Sequence, residues 1–148
     1  MNLQIRRANI DDVARIAPLF DAYRSFYGQP SDVARADAFL RERLARGESA
    51  LLLAERDGEA LGFTHLYPLF SSVRTTRVWL LNDLFVADGA RRRGVARALL
   101  DAAATFARGQ GAAGLMLETG RDNGPARALY RAAGWNEDAS QWYSLPLE

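Results

Sequence analysis

The chain has no cysteine, no lysine and a single histidine among its 148 residues. Without cysteine there is no disulfide scaffold, no thiol nucleophile and no thiolate metal site. With His65 alone, a histidine-rich metal centre is excluded, so no metal is expected. All basic residues are Arg, which rules out the Gly-x-x-x-x-Gly-Lys-Ser/Thr phosphate loop. Long hydrophobic runs are also missing: none approaches the roughly 18 residues needed to cross a bilayer. No signal-like segment precedes the first element, so a cytoplasmic protein without membrane attachment is expected. Charge of one sign is not in excess. The formal net charge is +1, far from the strongly basic balance of a dedicated nucleic-acid binder, and no nucleic-acid partner is expected.

What is present is apolar surface, 49% of residues, enough for one packed core and hence one domain over residues 1–148. Residues 3–7 alternate as a short strand. A helix starts from Asn9 or Asp11, with Val13, Ile16, Ala17 and Phe20 at helical spacing. Gly28-Gln-Pro-Ser31 breaks the pattern, and Ser31 is placed to cap a second helix running to about Arg46. Residues 49–55 form a strand, and Asp57-Gly58 marks a hairpin to a partner strand over residues 60–70. A largely buried strand spans residues 78–86, followed by a loop and a helix over residues 94–108. A strand over 115–119, a helix over about 125–133 and a closing strand over 141–145 complete the order β-α-α-β-β-β-α-β-α-β. This is an α/β layered domain around one mixed sheet.

The stretch from Val86 to Leu100 carries the most chemistry. An apolar strand closes, a Gly- and Arg-rich loop follows, and an Ala/Leu-rich helix opens. Such a junction offers unpaired N–H groups and the positive end of a helix dipole to a phosphate or pyrophosphate. Arg91, Arg92, Arg93, Arg97 and Arg108 cluster around it, which suits a polyanionic small ligand; the alternative is a solvated basic turn. Gly109-Gln-Gly-Ala-Ala-Gly114 matches Gly-x-Gly-x-x-Gly in letters only. A dinucleotide fingerprint must follow a strand and open a helix, whereas these glycines follow a helix and precede an apolar run. They read as a helix C-cap and turn.

The loop has the form Arg-x-x-Gly-x-Ala from Arg91 to Ala96. Some thirty residues on, Asn123-Gly-Pro-Ala-Arg-Ala-Leu-Tyr-Arg-Ala-Ala-Gly-Trp135 matches Asn-x-x-Ala-x-x-Leu-Tyr-x-x-x-Gly-aromatic at every defined position. Both motifs, and the element order over nearly the whole chain, resemble the GNAT superfamily of N-acetyltransferases. On its own, the second segment is a capped helix: Asn123 at the N-cap, Pro125 in the first turn, Gly134 at the end. The resemblance implies acetyl-CoA as cosubstrate. It places Leu84, Phe85 and Val86 along the pantetheine arm and the amides of Arg91, Arg92, Arg93, Gly94, Val95 and Ala96 on the pyrophosphate. Asn123 would hold the acetyl-pantetheine end, and Tyr130 would act as general acid toward the departing thiolate.

Asn82 and Asp83 interrupt the otherwise apolar strand over 78–86. A buried carboxylate needs hydrogen bonds, a cation or a wet cleft. Asp83 therefore either pairs structurally or receives the substrate ammonium, directly or through water. Asn-Asp-Leu-Phe-Val resembles the GNAT subgroup of polyamine and small-amine acetyltransferases, whose acidic pair often reads Glu-Asp. Asn82 removes one of those charges, which argues against a polycationic acceptor. Glu118 is a second candidate base. Tyr23 and Tyr27, before the first inter-helix turn, either wall an acceptor pocket or pack on the core. Trp135, Trp142 and Tyr143 are candidates for an opposite wall or a dimer contact. His65 is expected to be a strand residue with a satisfied hydrogen bond. The resulting expectation is acetyl transfer to a primary amine of a small molecule by direct attack, with a homodimer open. The alternatives are a protein lysine or N-terminal acetyltransferase and a non-catalytic acyl-CoA-binding module.

Overall fold

A computed structural model describes residues 2–148. Two compact units divide the chain, one through Glu118 and one from Thr119 to Glu148. The first holds a five-stranded sheet in chain order: β1 (Gln4–Arg7), β2 (Ala50–Arg56), β3 (Glu59–Ser71), β4 (Thr76–Val86) and β5 (Leu115–Met116). The first three pairings are antiparallel and β4–β5 is parallel. Asp57 and Gly58 close the β2–β3 hairpin with φ of +52° and +78°, the left-handed pair that a type I′ turn requires.

Two helices, α1 (Val13–Phe26) and α2 (Val33–Ala45), cover one face of the sheet. Ile16, Phe20, Ala36 and Leu40 meet Leu51, Leu53 and Phe63 there. Strand alternation leaves Leu52, Ala54, Thr64 and Leu66, all buried, for the other face, where α3 (Val95–Gly109) packs. The first helix begins through a 3₁₀ turn at Ile10–Asp12. Asn9 and Asp12 cap it reciprocally, since Asn9 accepts from Asp11 N–H and Asp12 accepts from Asn9 N–H. Ser31 does not cap α2, contrary to expectation. The cap is Asp32, which accepts from Arg35 N–H at 3.0 Å. Ser31 Oγ instead donates to Asp21 at 2.7 Å, and Asp32 N–H donates to the same carboxylate at 2.6 Å. A buried aspartate on α1 thus ties down the loop after Tyr27.

The second unit contains α4 (Gly124–Ala132). Asn123 caps it by accepting from Ala126 N–H at 3.4 Å, and Gly134 follows at φ +94°. The strand expected over 141–145 does not form. Trp142 and Tyr143 are adjacent rather than alternating, and both are exposed, as are Leu145 and Leu147; with no ladder partner, the segment stays irregular. The strand expected over 115–119 is cut to Leu115–Met116. Gly109 ends α3, and Gly111 turns the chain at φ +73°, so these glycines serve a cap and turn. Among the described residues, no helix is long and apolar enough to cross a membrane.

Candidate acyl-transfer site

The site grows from an irregularity in β4. Leu66 pairs with Leu81 and His65 with Asp83, which leaves Asn82 without a partner. One extra residue on one strand is a β-bulge. It has two consequences. Directly paired residues share a face, so the bulge puts Asp83 on the side of His65, the side covered by α1. In an unbroken register Asn82 would face His65, and Asp83 would point to the opposite layer. The second consequence concerns the main chain. Before the bulge, Trp79 N–H donates outward to Gly114 O at 3.0 Å; beyond it, Ala87 N–H donates inward to Leu61 O at 2.8 Å. Alternation from Ala87 then turns the backbone groups of Leu84 and Val86 to the outer edge. The β5 ladder stops at Leu80–Met116. Among the described residues, no strand pairs with the outer edge of residues 81–86. Phe85 turns its main chain inward and offers only its ring.

Asp83 is 7% exposed, and each oxygen of its carboxylate has one side-chain partner. Oδ2 lies 3.2 Å from His65 Nδ1, and Oδ1 accepts from Asn82 Nδ2 at 3.0 Å. His65 is completely buried, and its Nε2 lies 2.7 Å from Ser49 Oγ. Thr64 Oγ1 donates to the Asp83 carbonyl at 2.8 Å. Tyr67, two residues along the same strand, holds its ring 4.7 Å from His65 at a tilt of 56°. Burial, and then the charge of Asp83, push the Tyr67 phenol up to about 12. His65 is hydrogen-bonded as expected, but its partners Ser49 and Asp83, and its neighbour Tyr67, were missed. Only the bulge brings Asp83 to His65, and no residue type announces a bulge.

Tyr23 packs on the core, one of the two alternatives expected of it. Its ring packs against Phe20, Phe63 and Phe85 at 5.9–6.3 Å, and its hydroxyl contacts the carbonyl of bulged Asn82 at a long 3.5 Å. Tyr27 meets Tyr23 edge-on at 5.1 Å and is 65% exposed. The structure therefore brings Tyr23, Tyr27, Asn82 and Asp83 together. Glu118 is exposed, two residues past the end of β5.

After β4, a 3₁₀ turn at Asp88–Ala90 leads to Arg92 and Gly94, both in the left-handed region at φ +63° and +77°. Gly94 is the N-cap of α3 and has no side chain to satisfy the helix's first N–H groups. Ala98 makes the first helical bond, to the Gly94 carbonyl, so the amides of Val95, Ala96 and Arg97 lie before it, as an anion site needs. Arg91 is committed locally. It donates to the Val86 carbonyl at 3.0 Å, pairs with Asp88 at 2.9 Å and lies over the Phe85 ring. Arg92 and Arg93 are exposed. An open row of amides leading to a basic, uncapped helix end fits a long thioester carrier ending in a pyrophosphate. In the second unit, Tyr130 sits on α4 after the Asn123 cap, with its ring 6.3 Å from Trp135.

Residues 16–135 match the Acetyltransferase (GNAT) family, and the chain belongs to it. It is 50% identical over 136 residues to the uncharacterized N-acetyltransferase YhfO of Bacillus subtilis (strain 168), covering 92% of this chain and 91% of that one. A crystal structure of a probable acetyltransferase superposes with a TM-score of 0.93 at 42% identity, covering 98% of both chains. Aminoglycoside N(6′)-acetyltransferase type 1 of Klebsiella aerogenes is 36% identical over 103 residues, 68% of each chain. The protein is accordingly an acetyl-CoA-dependent acyltransferase with the GNAT fold.

Proposed function

We propose that the protein transfers acetyl from acetyl-CoA to a primary amine of a small molecule by direct attack. The observation that carries this reading is the bulge at Asn82. It leaves Asp83 hydrogen-bonded beside Tyr23 and exposed Asn82, on the stretch of β4 that no longer has β5 as a neighbour. The amine nitrogen attacks the thioester carbonyl carbon, and the carbonyl oxygen takes up negative charge against main-chain N–H groups of the open edge. Collapse breaks the C–S bond. The phenol of Tyr130 gives its proton to the thiolate, a role that comes from the motif around Asn123–Trp135. The proton lost by the amine passes to Asp83, directly or through water. A carboxylate has about four acceptor positions, so its bonds to Asn82 and His65 leave room for an ammonium. Leu84 and Val86 support the pantetheine arm, the amides from Arg91 to Ala96 hold the pyrophosphate, and Tyr23 and Tyr27 wall the acceptor. The aminoglycoside relative supports a small-molecule acceptor.

Acetyl-CoA-dependent thiol release against polyamines, amino acids, aminoglycosides and lysine peptides tests this reading, and the cysteine-free chain adds no background. Release stimulated by one class of small amine is expected. Release with peptides alone would make the acceptor a protein. CoA binding without release on any amine would contradict catalysis here.

A further inference from the structure

We infer that His65 is a positioning residue for Asp83, fixing the carboxylate from inside the sheet so that its remaining lone pairs face the amine. This rests on the reading of Asp83 as the acceptor-side residue. The imidazole is fully buried, with the rings of Phe20 and Tyr67 against it, a place where a leucine would pack at no polar cost. A histidine there must satisfy both ring nitrogens, and it does so with one residue from each side of β3. Ser49 stands just before β2 and Asp83 just after the bulge of β4. The acceptor-only carboxylate fixes the tautomer: Nδ1–H donates to Asp83 Oδ2, and Nε2 accepts the Ser49 hydroxyl. This arrangement resembles an orienting pair run in reverse, with imidazole holding carboxylate. A free strand aspartate would turn about its terminal torsion, which is broad. Pinning Oδ2 leaves Oδ1 directed toward the exposed Asn82 side, where an amine arrives. Ser49 in turn stops the imidazole from rotating, and the tilted Tyr67 ring packs against it.

Asparagine and glutamine separate the two ends of the imidazole. An Asn amide overlies Nδ1 and keeps the donor to Asp83. A Gln amide reaches the Nε2 position and keeps Ser49 while losing that donor. Steady-state kinetics on the best amine should show His65→Gln losing roughly tenfold or more in kcat/KM for the amine, while His65→Asn loses less than about threefold. Both should keep the wild-type KM for acetyl-CoA. Asp83→Asn is measured alongside. An indifferent Asp83→Asn would remove the reading of the site itself. A damaged Asp83→Asn, with both His65 variants falling together in step with their melting temperatures, would leave that reading intact and overturn this inference. Nitrogen-labelled histidine gives a readout free of activity, because the chain has one imidazole. NMR should find it in the Nδ1–H form, and an Nε2–H form would overturn the proposal.

Discussion

Residue 62 has no room for a side chain. A Cβ on Gly62 would lie 2.7 Å from the Phe85 carbonyl oxygen and 3.3 Å from Val86 Cα. Both are backbone atoms of β4, so the strands would have to separate at the end of β4, beyond the bulge. Gly62→Ala should therefore cost about 1–3 kcal/mol, read as a lower melting temperature, with kcat for the amine falling further than KM for acetyl-CoA rises. A variant as stable as wild type would mean that β4 can shift freely. Tyr130 makes the opposite kind of prediction, chemical rather than steric. Tyr130→Phe should lower kcat about tenfold or more while leaving acetyl-CoA binding nearly unchanged. Equal turnover would remove the phenol from the mechanism. Only Tyr130 was legible in the sequence. Tyr130 stood in a motif, whereas Gly62 looked like an ordinary strand residue, because close approach of two strands leaves no local pattern.

The element proposed to hold the cosubstrate's pyrophosphate is the turn into α3. Gly94 takes φ +77°, and a side chain added there would touch nothing within 4 Å in the protein itself. Gly94→Glu should thus leave the fold close to intact, at the roughly 1–2 kcal/mol that a left-handed non-glycine residue costs. It should abolish CoA binding through its charge and bulk beside the helix amides. Calorimetric titration with CoA checks this, and retained affinity would sink the loop assignment. The capped ends of α3 and α4 and the hairpin at Asp57-Gly58 were legible in the sequence because each depends on neighbours in the chain. The bulge at Asn82 and the stapling of Ser31 to Asp21 were not. They depend on cross-strand register or on a partner some ten residues away. Residues 141–145 show the converse: a closing strand was expected there, but a strand exists only where another edge receives it.

On the scale of the whole molecule, acid should weaken the fold through its carboxylates. Asp12 bonds first to Arg6 and also to the Asn9 amide and Arg15, and Glu55 bonds to Arg6 and Arg15. Both are held below the usual carboxylate range chiefly by the Arg6 hydrogen bond. Asp21 is lowered by Ser31 and the Asp32 amide. Lowered folded-state values mean that this stabilisation is complete above the unfolded values, near pH 4, and is lost as pH falls below them. The urea midpoint should hold level down to about pH 5 and decline below it, and Asp12→Asn should start lower and show a shallower decline. The same network ties β1, the entry to α1 and β2 together, which sets the platform on which β3 and β4 present the site. For the chemistry performed there, initial velocities measured over a grid of acetyl-CoA and amine concentrations are the most direct test. Direct attack predicts lines that intersect, from a complex holding both substrates. Parallel lines would show an acetyl-enzyme intermediate, and velocities independent of the amine would show that no amine is the acceptor.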